Sequence, residues 1–369
     1  MLGFPMRSNG KKIRFGVLGT ARIAVKKVIP AMQKGDHTEV VAIASRSAEK
    51  AREVAHYLGI PRWHGSYEAL LADPDVDAVY NPLPNDQHVL WSIRALEAGK
   101  HVLCEKPIAL SAAEGRVLVE AARQHHHLKV MEALMYRHHP QWRKAKELVG
   151  TGQIGELRAI QVFFSFYNDD PGNIRNSSSK GGGALMDIGC YASSLSRWLF
   201  NAEPQRVFGL VVNDPHFGVD RLVSAILDFG VGHATFTCSM QIAHFQRAHL
   251  AGVEGHVELS EAPFNPPNDR PCVVRLQRGG EVQRLELEVC DQYRIQGDHF
   301  AEAILNDAPV PIPLEDAVGN MKVIDAIVAS GGNGWIRPGA AHPGSARERL
   351  TNRQSSRDDF PLHRQVKAL

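Results

Sequence analysis

Five short apolar runs, unbroken rather than alternating, constrain the first third of this chain more than any other feature. They lie at 13–18, 40–44, 77–80, 101–104 and 129–133. A strand with one wet face alternates apolar and polar side chains, whereas an unbroken run marks a strand buried on both faces. Helical spacing follows at 23–32, 48–58, 87–98 and 111–125. Gly59 and Pro61 close the second of these helices, Gly99 closes the third, and Ser111 with Glu114 has capping-box spacing at the start of the fourth. Strands and helices that alternate in this way predict an α/β fold, with residues 1–135 forming a doubly wound parallel sheet whose ligands bind beyond the carboxyl ends of the strands.

The pattern changes after residue 135. Runs at 157–167, 206–212, 221–229, 233–242, 249–259, 272–277 and 282–289 read as strands, with helices at 140–149, 184–200, 295–305 and 314–330. Ala234, Phe236, Cys238, Met240 and Ile242 alternate with Thr235, Thr237, Ser239 and Gln241. That period of two marks an antiparallel sheet with one apolar face for helices to cover and one polar face. Gly230-Val231-Gly232 reads as a hairpin turn. An α+β domain over 136–330 is the simplest account. Residues 331–369 are rich in Gly, Pro, Ser and Arg, with seven basic and three acidic residues. Such a segment buries too little to offset its ordering entropy, and a flexible tail is expected.

Composition narrows the function. A length of 369 residues suits two domains. A net charge of +2 gives no reason to expect nucleic acid or an anionic membrane as partner. Cys104, Cys190, Cys238, Cys272 and Cys290 form no CxxC pair, which fits reduced thiols and a cytoplasmic protein. Residues 1–12 lack the apolar core of a signal peptide, and no window reaches the ~18 apolar residues of a membrane span.

Between the first strand and its helix stands Gly19-Thr20-Ala21-Arg22-Ile23-Ala24, a G-x-A-x-x-A turn. Its first glycine suits a tight turn, and the helix that follows offers free N–H groups and a dipole to a phosphate. Alanine at the second position leaves less room for a pyrophosphate. After the second strand, where an NAD site carries a carboxylate for the ribose 2′-hydroxyl, the chain has Ser45-Arg46-Ser47. A guanidinium there suits a 2′-phosphate, so NADP(H) is expected to be preferred over NAD(H).

With Asn81-Pro82-Leu83-Pro84-Asn85-x-x-His88, Glu105-Lys106-Pro107 and Gly181-Gly182-Gly183 leading to Asp187-x-Gly189-x-Tyr191, the chain resembles the Gfo/Idh/MocA oxidoreductases over 13–330. The resemblance implies an N-terminal Rossmann domain, a C-terminal domain on an open, mostly antiparallel sheet, a nicotinamide cofactor and a sugar, cyclitol or related carbinol substrate. It implies that Asn81, Pro82, Leu83, Asn85 and His88 line the cofactor crevice. It also implies that Glu105-Lys106 lies beside the nicotinamide and that the Lys106–Pro107 bond is cis. Tyrosine at 191, where many members carry histidine, and Met135-Tyr136-Arg137-His138-His139-Pro140-Gln141 resemble the NADP-using xylose dehydrogenase and dihydrodiol dehydrogenase group.

The chemistry fits. Oxidising a carbinol removes a hydride from carbon and a proton from oxygen, and an ammonium such as Lys106 stabilises the developing alkoxide. Asp187 and Tyr191 are spaced i and i+4 on one predicted helix, and a cation beside Tyr191 would lower its pKa towards working pH. Lys106, Tyr191 and Asp187 are therefore the catalytic candidates. Asn168, Asn173 and Arg175 stand in a polar loop that offers groups to sugar hydroxyls, and Tyr293 and His299 flank a late helix. The histidine runs at 125–127 and 138–139 lack the partners of a zinc pattern, and no metal is expected. The expected function is an NADP-dependent aldose dehydrogenase. An NADPH-dependent keto-sugar reductase, a dihydrodiol dehydrogenase and, in another class, a non-catalytic dinucleotide sensor are the alternatives. The mild Thr, Ser and Gln face of 233–242, together with the resemblance, suggests a homodimer or homotetramer joined through that sheet.

Overall fold

The computed structural model describes residues 10–331 together with residue 338. The tail expected over 331–369 thus lies, but for two positions, outside the described residues. Strands β1 (Ile13–Leu18), β2 (Thr38–Ala44), β3 (Arg62–His64), β4 (Ala78–Asn81), β5 (His101–Glu105) and β6 (Val130–Ala133) form one parallel sheet in the order β3-β2-β1-β4-β5-β6. Helices α1 (Ile29–Met32), α2 (Ala48–Leu58), α3 (Tyr67–Leu71), α4 (His88–Glu97) and α5 (Ala112–Gln124) alternate with them. Phe15, Val17, Leu18, Ile43, Val79, Val102 and Leu103 are fully buried, which explains the unbroken apolar runs. Strand β3 and the short α3 were not anticipated. Arg62-Trp63-His64 is a polar edge strand, and α3 is little more than one turn, capped by Ser66. The strand order reverses between β1 and β4, which leaves a crevice beyond their carboxyl ends.

The second sheet has the order β14-β13-β12-β11-β7-β10-β9-β8, with β7 (Leu157–Tyr167), β8 (Arg206–Asn213), β9 (Asp220–Asp228), β10 (His233–Ser239), β11 (Gln241–Gly252), β12 (Gly255–Leu259), β13 (Cys272–Arg278) and β14 (Glu281–Leu287). Every pair is antiparallel except β7 with β10. Glycines 230 and 232 do turn a hairpin between β9 and β10. The strand expected over 233–242 ends early. Met240 donates its N–H to Arg221 O and accepts from Asn168, and the chain turns there into β11, whose register with β7 is irregular between Gln241 and Phe245. Helices α6 (Pro140–Gly150), α7 (Cys190–Phe200) and α9 (Leu314–Ser330) pack on this sheet. On the opposite face Leu210, Ile226 and Phe245 are exposed.

Helix α8 (Gln292–Leu305) returns to the first sheet and packs on β1 and β2. Phe300 meets Phe15 at 6.3 Å between ring centroids, Arg294 pairs with Asp36 at 2.8 Å, and Asp298 accepts the His37 N–H at 2.9 Å. Asn320 of α9 donates to Cys190 O at 3.0 Å. The two sheets are thus joined by helices drawn from the end of the sequence.

The connection from β5 to α5 is pinned at every second residue by a carboxylate. The N–H groups of Lys106, Ile108, Leu110 and Ala112 donate to Glu105, Glu132, Glu114 and Asp325 at 3.3, 2.8, 2.7 and 2.9 Å. Glu132 is the most buried of the four, and its second oxygen has no hydrogen-bond partner among the described residues. Burial pushes its carboxyl up to about 7 from an ordinary 4.5. Folding therefore takes up a proton between those values, and stability present below the lower value is lost as pH rises through the higher. Glu132→Gln keeps an acceptor for the Ile108 N–H and has no proton to lose. Its stability relative to wild type should rise across that window by roughly 3 kcal/mol and level off above it. Urea melts from about pH 5 to about pH 8 check this; a difference independent of pH would contradict it.

Candidate active site

The crevice at the strand-order switch starts with Gly19, whose N–H donates to Ala44 O at 2.8 Å. Its φ is +89°, and a Cβ there would come within 2.9 Å of Leu83 Cδ2, so the position requires glycine. Thr20, Ala21, Arg22 and Ile23 lead from this turn into a π-helical turn, Ala24–Val28, ahead of α1. The N–H groups of an opening turn lack intrahelical acceptors, so this end of the crevice suits an anion. Arg46, after β2, lies near enough to the Tyr67 hydroxyl for its charge to act on it. That hydroxyl lies 3.6 Å from where a Cβ of residue 19 would stand. Burial raises the Tyr67 pKa and Arg46 opposes the rise. Ser45 Oγ accepts the Ser47 N–H at 3.2 Å, and Ser47 caps α2, so both hydroxyls keep a proton to donate. Tyr67 was not among the residues read from the sequence. It lies in a stretch too short to show a periodicity, and only its packing edge-on against Trp91, at 4.9 Å, brings it to the crevice.

The loop after β4 is self-bonded. Asn81 is fully buried; its side chain donates to His88 O at 3.1 Å and Ser92 Oγ at 3.2 Å, and accepts the Leu83 N–H at 3.3 Å. His88 is also buried, with Nδ1 2.8 Å from Pro107 O and Nε2 2.7 Å from Leu83 O. Both residues spend their polar atoms within the protein and so shape the loop carrying Pro82, Leu83 and Asn85. Asn85 reaches across to donate to Gly181 O at 2.9 Å, and Asp86 pairs with Lys180 at 3.3 Å. The crevice is thereby closed on one side by the second domain.

Lys106 leads into a cis bond to Pro107. Its ammonium donates to Asp187 O at 2.7 Å and Asp187 Oδ1 at 3.0 Å, while Arg175 Nε donates to Asp187 Oδ2 at 2.7 Å. Asp187 lies in a π-helical turn, Leu185–Gly189, that precedes α7. Gly183 enters this turn at φ +118°, and any Cβ there would overlap Asp220, which accepts the Leu185 N–H at 2.6 Å. Burial would raise the Asp187 carboxyl, but Arg175 and Lys106 hold it well below the usual carboxylate range. Burial, the largest effect, likewise works against the Lys106 ammonium, but Asp187 and the smaller contributions of Cys190 and Glu105 together offset it, leaving the pKa raised. Lys106 is thus a fixed cation. Arg175 joins the ion pair directly, whereas Asn173 turns inward to accept the Arg175 N–H at 3.1 Å.

Tyr191 faces the same ammonium, in a different manner from that expected. Lys106 Nζ lies over its ring, 5.0 Å from the centroid, and the hydroxyl points to Met135 Sδ at 3.5 Å. Burial therefore raises the phenol well above its ordinary pKa; the expected lowering by Lys106 is not found. The ring stacks on Phe264 at 5.4 Å and Phe164 at 6.1 Å, and Tyr136 meets it edge-on at 5.7 Å. Phe264 was missed because it is a lone aromatic in a proline-rich loop. Its backbone is drawn into the core by Gln246 and Gln292. Glu105 accepts from Tyr80 at 2.7 Å, and Tyr293 lies near enough to feel its charge. His299 is engaged with His138 at 3.0 Å instead. Among the described residues no three His, Cys, Asp or Glu side chains are placed to hold a metal.

Comparison with known proteins agrees with this architecture. The family described as "Oxidoreductase family, NAD-binding Rossmann fold" matches residues 13–133, and "GFO/IDH/MocA C-terminal domain" matches 142–258. An uncharacterized oxidoreductase of Rhizobium meliloti is 47% identical, over 87% of this chain and 98% of that protein. A D-xylose 1-dehydrogenase (NADP(+)) of Haloferax volcanii is 38% identical, over 87% of this chain and 98% of its own. A 3-ketoreductase from Actinomadura kijaniata, solved in complex with NADP and TDP-benzene, superposes with a TM-score of 0.80 at 33% identity, covering 86% of this chain and 98% of that one. With both of its domains matched and such relatives aligned over most of its length, this chain belongs to the Gfo/Idh/MocA family of oxidoreductases.

Proposed function

We propose that this protein is an NADP-dependent oxidoreductase that moves a hydride between the nicotinamide and a carbinol or carbonyl carbon of a sugar, in the manner of an aldose dehydrogenase. One observation carries the reading: a buried ammonium, Lys106, braced by Asp187 and set over the ring of Tyr191 at the carboxyl end of β5. The crevice residues fit the dinucleotide. Gly19 to Ile23 offer backbone donors to its phosphates, Arg46 with Ser45 and Tyr67 offers a cation and hydroxyls to a 2′-phosphate, and no carboxylate stands at 45–47 to repel it. Leu83, Asn85 and Glu105 line the way to Lys106. When bound, the nicotinamide supplies the hydride acceptor or donor.

The chain's own residues handle charge and proton. Lys106 stabilises negative charge developing on the substrate oxygen, and Asp187 with Arg175 keeps the ammonium from moving to meet it. Tyr191, protonated and with only a sulfur as partner, exchanges that weak contact for the substrate oxygen. In reduction it gives its proton to the oxygen that becomes the hydroxyl and is reprotonated from solvent. In oxidation it first loses its proton to solvent and then, as the phenolate beside Lys106, takes the carbinol proton. Arg175 meets sugar hydroxyls, and Asn173, whose oxygen is spent on the Arg175 N–H, has its amide N–H groups left to offer them. A protonated phenol is the form that donates to a carbonyl oxygen, so reduction of a keto-sugar by NADPH is the second reading, and the 33% identical 3-ketoreductase supports it. The open face of the second sheet, where Leu210, Ile226 and Phe245 lie beside threonines, suits a homodimer or homotetramer, which light scattering would register as a mass of at least two chains. The five cysteines are unpaired, as suits a cytoplasmic enzyme, and no helix among the described residues is long and apolar enough to cross a membrane.

Aldoses, diols and keto-sugars, each assayed by the absorbance of reduced nicotinamide, test the reading. Turnover is expected with NADP(H) above NAD(H), and Arg46→Asp should weaken NADP(H) binding more than NAD(H) binding. Equal titration curves for the two cofactors in wild type would overturn the preference, and no turnover on any substrate would favour a non-catalytic sensor. On the substrate so found, Lys106→Met and Tyr191→Phe should each lower kcat by about 10²-fold or more, with NADP(H) affinity little changed. A variant that keeps more than about a tenth of wild-type turnover, where a deuterium isotope effect shows chemistry to be rate-limiting, removes that residue from the mechanism.

A further inference from the structure

His88 occupies a position in which neutral imidazole satisfies only one of two close carbonyls. Its Nδ1 is 2.8 Å from Pro107 O and its Nε2 is 2.7 Å from Leu83 O. Carbonyl oxygens only accept, so both ring nitrogens must donate, and only the imidazolium carries two N–H groups. A neutral ring would aim one nitrogen lone pair at a carbonyl lone pair and leave that buried contact without its hydrogen bond. The two carbonyls belong to different segments. Leu83 lies in the loop after β4 that meets Gly19, and Pro107 follows Lys106.

Opposing effects act on the ring, and burial, the largest of them, leaves its pKa lowered: Lys106, a like charge, adds to burial, whereas the two carbonyls and Asp86 favour the charged form. The ring also sits at the N-terminus of α4, whose dipole disfavours a cation. The geometry stands against that direction: both contacts are short, both face oxygens that only accept, and neither nitrogen has another partner among the described residues to turn to. The two hydrogen bonds therefore exist together only in the imidazolium, where they are charge-assisted.

We propose that His88 is a two-armed proton clamp: as the imidazolium it ties the loop after β4 to the Lys106–Pro107 turn, and loss of either proton releases one of the two. His88 is a positioning residue, acting on the dinucleotide through Leu83 and on the chemistry through Lys106. The protonation itself is independent of the functional reading above; the consequence for dinucleotide binding rests on it. Because the protonated form holds the crevice together, NADP(H) affinity should fall as pH rises through the titration of this ring.

Protein carrying ¹⁵N-labelled histidine tests this directly, with the His88 signals identified by their absence from His88→Gln. The expected result is two protonated ring nitrogens for His88 at about pH 6.5, and a loss of one proton at higher pH with the same midpoint as a roughly ten-fold or greater weakening of NADP(H), followed by fluorescence. If His88→Gln does not fold, the signal of a doubly protonated, exchange-protected histidine in wild type still decides the matter. A ring with one lone-pair nitrogen across about pH 6 to 8 overturns the proposal. A doubly protonated ring whose titration leaves NADP(H) affinity unchanged overturns the clamp while keeping the imidazolium. Failure of wild type to bind NADP(H) at any pH would refute the functional reading instead and leave the NMR result standing.

Discussion

The ion pair between Lys106 and Asp187 is the contact on which the rest of the site depends. It is made across two domains, from the end of a strand in one sheet to a helical turn above the other, and both side chains are nearly sealed from water, at 11% and 12% exposure. Breaking a buried pair by removing one partner leaves an uncompensated charge and is strongly destabilising, whereas the intact pair adds little net stability. Its value is therefore positional. Asp187 uses its carbonyl and one carboxylate oxygen on Lys106 and gives the other to Arg175, so the ammonium has a single resting place.

That resting place is prepared from both sides. Below it, carboxylates pin alternate N–H groups of the segment after Lys106, so the chain leaving β5 has no freedom to shift the lysine. Above it, the π-helical turn and a glycine lodged against Asp220 aim Asp187 downward. Tyr191 follows in the first turn of α7, and its ring is held by Phe264, Phe164 and Tyr136 so that it forms a floor for the ammonium. A cation over an aromatic face gains from the ring's quadrupole without drawing the phenol proton away. The consequence is a lysine that stays charged and a tyrosine that is protonated at rest, two different tools side by side.

Much of this was legible in the sequence, for identifiable reasons. Strands buried on both faces betray themselves as unbroken apolar runs, and the first sheet's central strands were readable within a residue or two. Gly19, Lys106, Asp187 and Tyr191 lie in compact motifs whose residue types have few other uses, and the structure brings the last three together. Contacts made by single residues were not legible. Tyr67 reaches the crevice from a helix too short to have a period, and Phe264 from a loop that reads as turn residues. The turn at Met240 was hidden because alternation continues through it. The direction of the Tyr191 shift was misread for a physical reason. Closeness of a lysine says nothing about which atom it approaches, and over the ring rather than at the oxygen it cannot offset burial.

The central claim is that Asp187 acts by fixing the Lys106 ammonium over Tyr191, and not by binding the dinucleotide. The rate of hydride transfer in a single turnover, measured by stopped flow on Asp187→Asn with a confirmed substrate and saturating dinucleotide, tests it most directly. The account predicts a fall of about 10²-fold with a retained deuterium isotope effect and an unchanged NADP(H) dissociation constant. A transfer rate within a few-fold of wild type, or a loss confined to dinucleotide affinity, would contradict it.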